Sequence, residues 1–83
     1  MIEKIRELID QHAGLPQGAA EIGDDTDLYR QGMKSFASVQ LMLALEEAFD
    51  IEFPEEMLNR ATFRSAAAIA RAVESLSPGS LAA

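Results

Sequence analysis

Wherever this chain runs long enough to show a period, its apolar residues return at three- and four-residue steps, and that spacing restricts it to packed helices. Ile2, Ile5, Leu8, Ile9 and His12 share one helical face, Glu3, Lys4, Arg6, Glu7 and Asp10 take the other, and Gly14 and Pro16 end the segment. The period resumes at Ser35 and holds to about Asp50, before Pro54 forces a break. Glu55 to Arg60 leaves room for a short third helix. Thr62 is the expected N-cap of a fourth, which runs to Leu76 and buries Phe63, Ala66, Ile69, Ala70 and Val73. No stretch alternates as a strand would, and no internal repeat is visible. Residues 14–25, with Gly14, Pro16, Gly18, Gly23 and the pair Asp24–Asp25, form a long connection of loop composition. One helical turn at Leu28 and Tyr29 follows Asp27 and closes at Gly32, where a left-handed residue costs little. The expected fold is therefore all-α: a four-helix bundle with a long loop between helices 1 and 2, the domain covering residues 1–76 and a flexible tail covering 77–83.

Size and charge narrow the function. A chain of 83 residues without cysteine has one core, no disulfide, no thiolate metal site and no cysteine nucleophile. Seven Lys and Arg stand against fourteen Asp and Glu, a net charge of −7 that disfavours nucleic acid and anionic membranes as partners. The first residues carry charges inside their apolar pattern, which fits neither a signal peptide nor a transit sequence, so a cytoplasmic monomer is expected.

The second helix has one apolar face too many. Ser38, Leu41, Met42, Leu45, Ala48 and Phe49 cluster in one sector and serve as the core stripe. Phe36, Val39 and Leu43 fall roughly opposite, beside Gln40, Glu46, Glu47 and Asp50. They are scattered surface hydrophobes, or are covered by a neighbouring loop, or form a docking patch for a basic partner, apolar knobs rimmed by carboxylates. Six acids occur between Glu46 and Glu56 with no Lys or Arg among them, a run that is a solvated face or a steering surface for cationic partners.

Catalytic constellations are thin, and the chain is not expected to be an enzyme. His12 is the sole histidine, and its position near the end of an apolar stripe suits packing or a dipole-facing role. Asp24-Asp25-Thr26-Asp27 lacks the register of a calcium loop and reads as loop capping; no metal site is expected. Gly32-Met33-Lys34-Ser35 lacks the glycine spacing and the preceding strand of a phosphate-binding P-loop. Ser35 stands where loop becomes helix. Its hydroxyl either caps free backbone N–H groups or carries a covalently attached anion, which the same N–H groups and Lys34 would hold.

Gly32-Met33-Lys34-Ser35-Phe36, followed by Val39, Leu41, Ala44-Leu45-Glu46-Glu47, Phe49-Asp50, Glu52 and Pro54, resembles the acyl carrier protein family. In that family a Gly-x-Asp-Ser-Leu motif opens helix two, and its serine receives 4′-phosphopantetheine. The resemblance implies that Ser35 is the attachment residue and that the arm's thiol carries a thioester cargo. It implies a helix-two docking surface of Lys34, Phe36, Val39, Gln40, Leu43, Glu46 and Glu47, and a phosphopantetheinyl transferase as partner. Two positions depart from the fatty-acid carriers: the motif's Asp is Lys34, and a commonly acidic position is Gln40. In those carriers the acids help bind basic transferase and synthase enzymes, so a specialised carrier is implied. The segments from Ser35 to Leu43, Glu46 to Pro54 and Leu58-Asn59-Arg60 look closest to small stand-alone aminoacyl carriers, some of which are loaded by an amino acid:carrier protein ligase. A specialised fatty-acyl or polyketide acyl carrier served by acyl-transferring enzymes is the alternative, and an unmodified acidic helical adaptor is a further one.

Overall fold

The computed structural model describes residues 1–15 and 22–76. Four α-helices follow one another: α1 (Ile2–His12), α2 (Ser35–Phe49), α3 (Arg60–Phe63) and α4 (Ala66–Leu76), with a 3-10 turn at Glu55–Met57 ahead of α3. No strand occurs among the described residues, and no helix among them is long and apolar enough to cross a membrane. The expected tail, residues 77–83, lies outside the described residues, as does the middle of the expected long loop.

Ile5, Leu8 and Ile9 turn the apolar stripe of α1 inward, where α1 packs on both α2 and α4. Ile69 and Val73 of α4 are completely buried against it, together with Leu41 and Leu45 of α2 and Leu28 of the connection. Burying each such side chain contributes about 1.5–3 kcal/mol. Arg6 reaches from α1 to fasten the far end of the connection: Nη1 donates to Asp24 Oδ1 at 2.9 Å and Nη2 to the Ile22 carbonyl at 2.7 Å.

The turn expected at Leu28 and Tyr29 is present. Asp27 Oδ1 accepts from the N–H groups of Tyr29 (3.0 Å) and Arg30 (3.4 Å), and Gly32 closes the turn with a φ of 116° that a side chain would strain. Two backbone bonds bind this region to the other half of the chain, Leu28 N–H donating to Arg64 O at 2.7 Å and Ala67 N–H to Asp24 O at 2.8 Å.

Expectations for the second, third and fourth helices need correction. Residues 55–60 do not form the third helix: only Glu55–Met57 turn, as a 3-10 element after Pro54, and α3 begins at Arg60. Asn59 is its cap, with Oδ1 accepting from Thr62 N–H at 3.0 Å and Thr62 Oγ1 at 3.2 Å. Thr62 therefore lies within α3, and α4 is capped by the buried Ser65, whose Oγ accepts from Ala68 N–H at 3.1 Å. Phe63 belongs to α3, where its ring meets Phe53 edge-on at 5.1 Å, and Ala70 is only half-buried. On α2 the neighbours meet the four-residue ridge of Ala37, Leu41 and Leu45. That choice buries Ala37, leaves Met42, Phe49 and Ser38 half-buried, and turns Ala48 out to solvent.

Candidate functional site

The two ends of α2 are built differently. At the N-terminus Lys34 occupies the cap position in extended conformation (φ −90°, ψ 162°), its side chain caps nothing, and no acid stands in the first turn. Ser35 is the first helical residue, one position past the cap, and its hydroxyl is exposed. Capping by Ser35 is thus not what the fold uses; the Ser35 carbonyl instead accepts from Ser38 Oγ at 2.7 Å. Free N–H groups and the helix dipole are left facing solvent beside this hydroxyl.

Ser35 opens onto a groove of about 320 Å³ between α2 and α3. Val39, Met42, Leu58 and Phe63 supply apolar walls, and Tyr29 and Arg60 close one side. The Arg60 guanidinium lies over the Tyr29 ring, 4.2 Å from its centroid. Among the described lining residues Arg60 is the only charged one. The sequence joins Ser35 to Lys34 alone; Tyr29, Leu58, Asn59 and Arg60 arrive through the fold, and no local spacing announces them.

The second apolar face of α2 is exposed. Phe36, Val39 and Leu43 show 72%, 50% and 51% of their surface, and Leu58, to which the sequence assigns no face, adds 48%. On the other flank of α2, Gln40, Leu43 and Glu47 line a second depression with Leu8 and His12 of α1. His12 is half-buried in the last turn of α1. Glu46 turns back into the fold, where its Oε2 accepts from Phe53 N–H at 2.9 Å. In the acidic string, Asp27 caps the Tyr29 turn and Thr26 Oγ1 accepts from Gly23 N–H at 2.9 Å, so these residues organise the loop. No cluster of His, Cys, Asp or Glu among the described residues is arranged to hold a metal ion.

An exposed hydroxyl on an uncapped helix start, with Lys34 preceding it and Arg60 on the facing wall, is a donor set suited to a phosphodiester. The comparisons with known proteins point the same way. The family model for a phosphopantetheine attachment site matches residues 3–73. The chain is 51% identical over 79 residues to the aminoacyl carrier protein of Agrobacterium fabrum (strain C58 / ATCC 33970), covering 95% of each chain. It is 43% identical over 53 residues to the D-alanyl carrier protein of Lactobacillus helveticus, covering 63% of this chain and 67% of that one. Among solved structures, an engineered Bradyrhizobium japonicum glycine:[carrier protein] ligase complexed with carrier protein from Agrobacterium tumefaciens and AMP contains a chain that superposes with a TM-score of 0.86. That chain is 51% identical, and the match covers 89% of this chain and 99% of it. With a matching family model along most of its length, the same all-helical fold and a hydroxyl free at the start of α2, the chain belongs to the phosphopantetheine-binding family of carrier proteins.

Proposed function

We propose that Ser35 carries 4′-phosphopantetheine and that the protein is a stand-alone aminoacyl carrier, itself without catalytic activity. The observation that carries this reading is the exposed Ser35 hydroxyl at the open start of α2, in a chain that belongs to a phosphopantetheine-binding family. When attached, the arm supplies a terminal thiol on which an amino acid is held as a thioester, chemistry that a cysteine-free chain lacks. The protein's own part is to anchor and present. Ser35 Oγ is the point of attachment, the first-turn N–H groups and Lys34 face the phosphate, and α2 offers Phe36, Val39 and Leu43 to whichever enzyme docks. Leu58 extends that patch across the groove, and Gln40 and Glu47 border it. A phosphopantetheinyl transferase and an amino acid:carrier protein ligase are the partners. The ligase is supported by the likeness to a carrier solved with a glycine:[carrier protein] ligase.

The apolar walls Val39, Met42, Leu58 and Phe63 favour one second reading, a specialised fatty-acyl or polyketide carrier whose cargo lies in the groove. Intact mass spectrometry separates the possibilities. Apo protein incubated with coenzyme A and a broad-specificity transferase is expected to gain one phosphopantetheine, and Ser35→Ala none. Holo protein with ATP, an amino acid and a ligase is then expected to gain one aminoacyl group. An adduct that persists in Ser35→Ala removes Ser35 from the site. Acyl chains on protein purified from its own cells establish the second reading.

A further inference from the structure

We propose that Arg60, stacked on Tyr29, is the cation that positions the phosphodiester on Ser35, an assignment that rests on Ser35 being the attachment residue. A chain with fourteen acids and seven Lys and Arg repels an anion on average, so a phosphate held against its surface needs a local exception. The groove beside Ser35 is that exception. Among the described residues that line it none is acidic, and its one charge is the Arg60 guanidinium.

Arg60 also differs from the arginines that serve the fold. Arg6 is paired with Asp24 and Arg64 with Asp27, whereas the Arg60 guanidinium rests on the Tyr29 ring, 4.2 Å from the centroid. Contact with a ring face engages the charge of a guanidinium and uses up no hydrogen-bond donor on an acceptor atom. Its N–H donors lie in the plane and stay available as a fork, the geometry that matches two phosphate oxygens at once. Both partners of the stack are set from behind. Tyr29 sits in the turn that Asp27 caps, and Arg60 opens α3 directly after its Asn59 cap. Lys34, exposed like Arg60, stands at a cap position with no side-chain cap bond, a point charge on a flexible stem. Lys34 therefore adds attraction, and Arg60 adds direction, drawing the phosphodiester toward the groove side of α2.

The test uses the intact holo protein. Wild type, Arg60→Gln, Arg60→Lys and Tyr29→Leu are loaded with coenzyme A and a broad-specificity transferase, the adduct is confirmed by intact mass, and the 31P resonance of the phosphodiester is recorded. Tyr29 is the only tyrosine and there is no tryptophan, so intrinsic emission reports on the stack itself. Loading is expected to change Tyr29 emission in wild type, and this response is expected to be lost in Arg60→Gln. The 31P resonance of Arg60→Gln and Tyr29→Leu is expected to move to that of the same phosphodiester in urea-unfolded holo protein, with Arg60→Lys intermediate. In wild type alone, raising NaCl from about 50 mM to about 500 mM should drive the resonance the same way as the ion pair is screened. The same 31P position in wild type and Arg60→Gln, with no salt dependence in wild type, overturns the role of Arg60 while leaving Ser35 intact. Absence of any adduct on wild type overturns the Ser35 reading, and this assignment falls with it.

Discussion

The C-terminal end of α2 is finished from within the chain, and the N-terminal end is not. At the C-terminus Asp50 takes the left-handed conformation (φ 53°, ψ 52°) and donates its N–H to Glu46 O. Ile51 N–H bonds the same carbonyl at 3.1 Å, and the Glu46 carboxylate reaches on to Phe53 N–H. At the N-terminus the cap residue is a lysine without a cap bond. The helix also carries charge of the less favourable sign at both ends, Lys34 beside the positive pole and Asp50 beside the negative one. Only at the open end does the proposed modification supply what the sequence omits. There a phosphate brings the anion and the acceptor oxygens together. An end that looks under-built in the bare polypeptide is thus suited to being completed by an attached group.

Ser35→Ala probes the contrast most strongly: phosphopantetheine incorporation, read by intact mass, should fall to nothing. Because no hydrogen bond of the fold depends on that hydroxyl, the thermal unfolding midpoint of the apo protein should stay within about 2 °C of wild type. At the closed end, Glu46→Ala leaves the backbone N–H of a buried Phe53 without its charged acceptor. Denaturant unfolding should show a loss of about 1–3 kcal/mol, with modification of Ser35 unimpaired. Lys34→Asp supplies a missing cap and reverses an adverse charge, so apo protein should gain about 1 kcal/mol. In holo protein the gain should shrink, since the phosphate already occupies the same N–H groups; equal gains in both forms would break the comparison. If charge governs partner choice, this variant is also modified faster by transferases specialised for fatty-acid carriers. Asp50→Asn removes an anion from the negative pole and should add about 0.3–1 kcal/mol, less at high salt.

How much of this was legible depended on the range over which each feature is decided. The bounds of α1 and the start of α2 follow from local period and breakers, and the structure places them at Ile2–His12 and Ser35. That Phe36, Val39 and Leu43 lie off the core face followed from the helical wheel, but a covering loop stayed open on sequence alone and the fold leaves all three exposed. The 55–65 stretch was not legible. Thr62 is a cap by residue type, but Asn59 and Ser65, three positions to either side, are caps of the same kind, and the fold uses those two instead. Nor could periodicity rank Ala37 above Ala48, since the ridge that α2 buries is chosen by where its packing neighbour α1 lies. The groove is the clearest case of all. Tyr29 and Arg60 lie about thirty positions apart, and only the tertiary fold makes them neighbours of Ser35.

The bonds from Leu28 to Arg64 and from Ala67 to Asp24 make one lever of two distant stretches of chain. Arg64 directly follows α3 and Leu28 lies in the turn ahead of α2, so a displacement of α3 would be passed to the peptide that leads to Ser35. On the proposed reading of Ser35, a partner that displaces Phe63 would also strain the segment that precedes the attachment residue.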